Sequence, residues 1–269
     1  MARRRCRSYV RVFLTVYEYT DCAGGRARRS RARSPRALAA RARPAPIRAR
    51  ARRERRRALA SSSSASDELC ARVDELNAFV GGETRAVTVR ERALGRGAFG
   101  VVLRASRDGG VGALDALVTR RSETKDVWPG GTDAATSGVV RATRGRDGEA
   151  AAETYEETMR RELEEELGSD AARGASVREL FTFPYEDAYM RVFGACFEIV
   201  LRDDAEIEFA DGEVAAARFV SLDELARSLR EGRENFTPIG KYVLESYLAF
   251  VETGARPPSA WAERRVEPS

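Results

Sequence analysis

Histidine is absent from all 269 residues. This excludes Ser-His-Asp and Cys-His nucleophilic centres, histidine-ligated metals and imidazole general bases. Acid–base chemistry is left to carboxylates, water, Lys, Tyr or Cys. Cysteine is scarce, and Cys6, Cys22, Cys70 and Cys196 lie far apart with no CxxC pair. That argues against a zinc site or a disulfide framework and suits a reducing compartment. No hydrophobic run is long enough to span a bilayer: the most apolar N-terminal stretch, Tyr9–Tyr19, is short and interrupted by Arg11. No membrane partner is expected.

The charge is divided unevenly. Residues 1–66 hold twenty Arg, no Lys and only Glu18, Asp21 and Glu54 as acids, a net of +17. Of the 47 basic and 42 acidic side chains, 27 and 39 remain for the other 203 residues, a net of −12. The first segment offers too little apolar surface to offset chain entropy. Its Arg, Ala and Ser content fits a mitochondrial or plastid transit peptide, which would send the protein to that organelle; without one an intracellular, cytoplasmic location is expected. A nucleic-acid-binding tail and an upstream start preceding a protein that begins near Asp67 are the other two readings. Arginine is scattered there without interleaved aromatics, so no nucleic-acid partner is expected. A single globular domain is placed at 67–254, followed by a loose tail at 255–269.

Most of the chemistry is written in Glu153–Gly168, ETYEETMRRELEEELG. Thr154 with Glu157 has the form of a capping box, and Gly168 suits a left-handed C-cap, predicting a helix over Tyr155–Leu167. Tyr155, Met159, Leu163 and Leu167 recur every four residues as an apolar stripe. Glu162, Glu165 and Glu166 fall within roughly 100° of arc beside it. Three carboxylates on one face repel one another unless something positive lies among them, and an oxygen-seeking ion such as Mg²⁺ or Mn²⁺ meets that need. Glu156, Glu157 and Glu164 point elsewhere, into solvent.

This stretch resembles the Nudix box, G-x5-E-x7-R-E-U-x-E-E-x-G-U with U aliphatic. Glu153, Arg161-Glu162-Leu163, Glu165-Glu166 and Gly168 match in spacing. The last U position is Ser169. The opening glycine is read as Gly138, leaving fourteen residues before Glu153 in place of five. The surplus within Arg141–Ala150 is read as a polar loop insertion, since Gly145, Asp147 and Gly148 are turn formers. The resemblance implies an α+β fold, an α/β/α sandwich with a mixed central sheet and a catalytic loop-helix-loop. It also implies metal-assisted hydrolysis of an organic diphosphate, such as a nucleoside diphosphate derivative. Glu162, Glu165 and Glu166 are expected to hold the metal, Glu165 to take the proton from the attacking water, and Arg161 to orient a box carboxylate. Gly138, Glu153 and Gly168 are expected to shape the box.

Elsewhere the chain reads as follows. Asp67–Arg92 is a lead-in element, with Phe79-Val80-Gly81-Gly82 as a turn. Gly95-Arg96-Gly97-Ala98-Phe99-Gly100-Val101-Val102 resembles a kinase glycine-rich loop. No kinase lysine or H-R-D loop accompanies it, so a strand over Ala98–Ala105 is expected instead. Ala113–Arg121 is expected to pair with it antiparallel. Further strands are placed at Ser176–Pro184, Tyr189–Arg202 and Ala215–Val220, and helices from Ser221 to Arg230 and over Ile239–Glu252. The run from Arg120 to Gly131 and on to Val140 resembles the isopentenyl diphosphate isomerase branch of the Nudix superfamily. That likeness implies that Arg121 and Lys125 bind the diphosphate. The isomerase's Cys-Gly-His is Ser137-Gly138-Val139 here, so hydrolysis is expected over isomerisation. A non-catalytic Nudix-fold binding module is the third alternative.

Overall fold

A computed structural model describes residues 69–107, 110, 113–125, 127–134, 136–144, 149–209 and 212–261. The transit-peptide, tail and alternative-start readings of 1–66 lie outside these residues, as do the turn formers Gly145, Asp147 and Gly148. Among the described residues, no helix is long and apolar enough to cross a membrane.

The centre is β3, Gly95–Ala105, whose side chains alternate between two cores. Ala98 and Val102 face one cluster with Phe197 and Ile199, and Phe99, Val101 and Leu103 face the other. A strand buried on both faces reads as a near-continuous apolar run. β10, Arg191–Val200, pairs parallel to β3 from Val192↔Gly95 to Val200↔Leu103. β9, Ser176–Glu186, pairs antiparallel to β10. On the other side β4, Leu114–Arg121, meets β3 only at Leu103–Ala105. Beyond that contact, β5 (Thr132–Ala134) pairs with β4 and β6 (Thr136–Val139) with β3. β11, Val214–Ser221, lies outside β4, while β1 (Leu69–Val73) and β2 (Phe79–Thr84) form a hairpin joined to β3 through Arg72↔Gly95. The result is a mixed sheet.

Short α1, Arg85–Glu91, follows β2. One face of the sheet carries α2, Tyr155–Leu167, at the expected boundaries and with the capping box formed. Its Met159, Leu163 and Leu167 are buried, each stabilising by about 1.5–3 kcal/mol. The other face carries α4, Leu222–Glu231, and α5, Pro238–Thr253, through Leu225, Leu229, Val243, Leu244 and Tyr247. Ser221 and Thr237 cap them, each accepting a bond from a backbone N–H three residues on. The glycines of the kinase-like run serve packing. A Cβ on Gly100 would sit 2.9 Å from Met159 Sδ and 2.5 Å from Ile199 Cδ1, so glycine lets α2 approach β3 closely.

Four expectations are corrected. Phe79–Gly82 is strand, and the chain reverses earlier, where Asp74 Oδ1 accepts from Leu76 N and Ala78 N and Asn77 takes φ 63°. The surplus ahead of α2 is a hairpin, β7 (Ala142–Arg144) with β8 (Ala150–Ala152), in place of a loop. Gly168 has φ 92° and ψ 158°, a positive-φ conformation outside the left-handed helical region, and the chain turns directly into short α3, Ser169–Ala172. The tail is not loose throughout: the Trp261 ring lies 5.8 Å from that of Phe193, with Arg191 over its face.

Candidate active site

Arg161 is the hub of the acidic face. Its Nε and Nη2 donate to the two oxygens of Glu153 at 3.3 and 3.0 Å, the two-pronged pairing that a guanidinium favours. Nη1 donates to Glu162 at 2.6 Å and Glu165 at 3.3 Å, and Nη2 also reaches the Val139 carbonyl at 3.2 Å. One side chain thus ties together β6, the start of α2 and two of its acids. Burial disfavours the charge on Arg161, but bonds to Glu153 and Glu162 outweigh it and raise its pKa. It stays a cation at any working pH.

The three helix acids share a face but differ in setting. Glu162 is shielded, with 15% of its side chain exposed, and burial raises its pKa despite Arg161. Glu165 is half exposed. Glu166 accepts a bond from Ser137 N at 3.3 Å, so β6 reaches the helix through its main chain. Glu156, Glu157 and Glu164 are exposed as expected. Among the described residues, no set of three or more Cys, Asp or Glu side chains is arranged to hold an ion as it stands. Arg161 holds the carboxylates of both Glu162 and Glu165 toward itself. The donor chemistry still suits a hard divalent cation: all donors are oxygens. Four carboxylates, those of Glu153, Glu162, Glu165 and Glu166, gather around this end of β6, and a divalent cation would relieve their mutual repulsion.

Gly138 lies directly against Glu162 of α2. A Cβ there would fall 2.0 Å from Glu162 Oε1, so only glycine admits that carboxylate against β6. The hairpin that follows Gly138 closes at its base: Glu153 N donates to Arg141 O at 2.9 Å, and Arg141 N to Glu153 Oε2 at 3.3 Å. The extra residues leave and return at one point, and Glu153 stays in register with Arg161. Burial raises the pKa of Glu153, but bonds from Arg161, Thr158 Oγ1 and the Arg141 N–H outweigh it and hold the pKa low.

A NUDIX domain family model matches residues 95–239. The chain belongs to the Nudix family. An uncharacterised Nudix hydrolase of Pseudomonas aeruginosa is 37% identical over 170 residues, 61% of this chain and 88% of that one. The uncharacterised Nudix hydrolase YfcD of Salmonella typhi is 33% identical, over 65% of this chain and 81% of its own. The crystal structure of DR0079 from Deinococcus radiodurans shares the fold, with TM-score 0.51 and 23% identity, covering 67% of this chain and 99% of that one.

In this Nudix hydrolase, Arg121 and Lys125 sit at the end of β4 and in the loop beyond it, and both have internal partners. Arg121 donates to the Val127 carbonyl at 3.0 and 3.1 Å and pairs with Asp133 at 3.3 Å. Lys125 pairs with Glu213, the residue just before β11. Sequence reasoning did not single out Arg141, Thr158 or Asp133 for the network. Thr158 was findable, because it lies one residue from Met159 on the buried side of a capped helix. Arg141 was not, because only the folded hairpin brings it beside Glu165.

Proposed function

We propose that this Nudix hydrolase cleaves the diphosphate linkage of a small organic diphosphate, a nucleoside diphosphate derivative or similar molecule, with Mg²⁺ or Mn²⁺ held by Glu162, Glu165 and Glu166. The observation that carries the reading is the intact acidic face of α2, braced by Arg161 and admitted against β6 by Gly138. A divalent ion bound there supplies charge neutralisation to the diphosphate and makes a water easier to deprotonate. Glu165 takes the proton from the attacking water in this reading, supported by its half-exposed position on α2. Arg161 holds Glu153 through both oxygens and turns Glu162 and Glu165 toward the same side of the helix. Shielded Glu162 serves as an ion ligand, because a raised pKa in a buried carboxylate falls when a cation replaces the lost solvation.

Of the two cations beyond β4, Lys125 is the better phosphate contact. Its partner Glu213 is half exposed, and such a pair exchanges at little cost. Arg121 is anchored on Val127 and Asp133 and braces the loop. The test is a Mg²⁺-dependent panel of nucleoside diphosphates, dinucleotides, sugar nucleotides and prenyl diphosphates. Phosphate-bearing products should appear from at least one class and vanish with chelator. Rearrangement of isopentenyl diphosphate without phosphate release would instead favour isomerase chemistry, and no turnover of any substrate would favour a binding module.

A further inference from the structure

The loop beyond β4 is bonded around one tryptophan. Arg121 Nε and Nη2 donate to the Val127 carbonyl at 3.1 and 3.0 Å, and Gly131 N donates to the Trp128 carbonyl at 3.2 Å. Pro129 followed by Gly130 at φ 67° is the residue pair of a type II turn. Trp128 itself stands at φ 54°, a rare backbone region for a bulky residue, and a residue before proline is pushed toward extended backbone instead. Backbone held against its preference gathers at ligand clamps and active sites. The Trp128 ring meets that of Tyr189 edge-on, with centroids 5.1 Å apart and 69° between the planes. Tyr189 comes from the turn before β10, where Asp187 Oδ1 accepts from Tyr189 N and Met190 N at 2.7 and 2.9 Å, and it is half exposed. Among the described residues, Trp128 Nε1 is buried with no hydrogen-bond partner. A buried donor left unpaired is costly, so folding alone does not account for this placement.

The pair stands at the same end of the sheet as the acids. β4 runs antiparallel to β3 and β10 parallel to it, so the loop after β4 and the turn before β10 both lie where β3 begins. β6 runs toward that end too, and its last residues, Gly138 and Val139, are those that touch Glu162 and Arg161. Lys125 belongs to the same loop as Trp128. We propose that Trp128 and Tyr189 seat the organic group of the substrate, and that this group carries a planar ring with hydrogen-bond acceptors, a nucleobase. The inference deepens the diphosphate reading given above and rests on it. A base stacks on the half-exposed ring of Tyr189, which pivots to bring an acceptor on the base to Trp128 Nε1. Stacking suits any base, because each has a π face. The indole N–H adds a need for an acceptor, which a prenyl chain cannot meet. The seat therefore favours nucleoside diphosphate derivatives over prenyl diphosphates. Arg121 acts as a positioning residue, fixing the main chain that aims Trp128.

The test compares ligands with and without a ring. The α,β-methylene analogues of ADP and UDP, which resist hydrolysis, and ringless methylene diphosphonate are titrated calorimetrically, with Mg²⁺ present, into the 269-residue chain and its Tyr189→Ala and Trp128→Phe variants. At least one nucleotide probe should bind roughly tenfold or more tightly than the diphosphonate. Tyr189→Ala should weaken that probe by about tenfold, and Trp128→Phe, which keeps a ring and loses the N–H, by roughly threefold to tenfold. Diphosphonate binding should stay unchanged in both variants, which a general loss of folding would not allow. Trp128 and Trp261 are the two tryptophans of the chain, so in a Trp261→Phe background emission reports on Trp128 alone. The nucleotide probe should quench that emission and the diphosphonate should leave it as it is, a readout that stands even if Trp128→Phe does not fold. Nucleotide probes that bind no more tightly than the diphosphonate overturn the proposal, as does a nucleotide affinity equal in all three proteins. Binding of neither kind of probe would overturn the diphosphate reading as well, and so separates the two failures.

Discussion

Replacing Gly138 with alanine separates stability from function. The new Cβ would lie 2.0 Å from Glu162 Oε1, 2.1 Å from Cδ and 2.3 Å from Cγ, so one of the two groups has to move. The glutamate side chain can rotate, whereas the β6 backbone is paired to β3 at Ala98↔Gly138. Glu162 therefore leaves its niche. The energetic consequence is modest, because desolvation already disfavours ionised Glu162 more than Arg161 favours it, as its raised pKa shows. Moving the carboxylate into water regains solvation and loses the 2.6 Å bond from Arg161. A net cost of about 1 kcal/mol corresponds to a fall in Tm of about 2–4 °C for a domain of this size. Activity should fall by about a hundredfold or more, since a metal ligand is removed from its post. Gly100→Ala is the contrasting control. Its Cβ meets Ile199, Thr136 and Met159 within 2.9 Å, from three packed elements, so it should cost about 1–3 kcal/mol of stability. Thermal unfolding and turnover measured on both variants decide the matter. A Gly138→Ala protein that keeps near-native turnover would refute the placement of Gly138 against Glu162 and the reading of the hairpin as an insertion within the box.

Glu165→Gln and Glu166→Gln should each lower turnover by orders of magnitude with the unfolding midpoint nearly unchanged; normal rates in both would remove the assigned base and ligand. Arg161→Ala strands Glu153 and Glu162 in partly buried sites and should cost about 3 kcal/mol at neutral pH, read by denaturant unfolding. Part of that loss depends on pH. The folded pKa of Glu153 lies below its ordinary value of 4.5, so its stabilisation is present above that pH and is lost as pH falls through the folded value. The gap between wild type and Arg161→Ala should therefore narrow below pH 4.5, and a gap that widens in acid would contradict the pairing. Lys125→Ala should raise KM for the diphosphate with little change in kcat, whereas an unchanged KM would leave the Lys125–Glu213 pair with a purely structural role.

Helix α2 was legible because several local signals agreed on it: the Thr154 cap, the stripe of Met159, Leu163 and Leu167, and the spacing of the acids. What the sequence could not reveal depends on distant contacts. Gly81-Gly82 makes β2 read as a turn, but a Cβ on Gly82 would fall 2.6 Å from Ala142 Cβ, and the glycine admits the β7–β8 hairpin. The hairpin was missed for the matching reason. Its strands are short and alanine-rich, with weak intrinsic preference for sheet, and they form by packing on that glycine. Periodicity puts Glu162, Glu165 and Glu166 on one face but says nothing of rotamers. Only the fold shows Glu162 and Glu165 turned onto Arg161, and Glu166 held by the Ser137 N–H.

The most direct measurement is a calorimetric titration of Mn²⁺ into the 269-residue chain and its Glu162→Gln and Glu166→Gln variants, paired with phosphate release before and after chelation. The account predicts saturable binding to the wild type, marked weakening in each variant and no phosphate release once the metal is removed. Equal binding in all three proteins, or hydrolysis that persists in chelator, would contradict it.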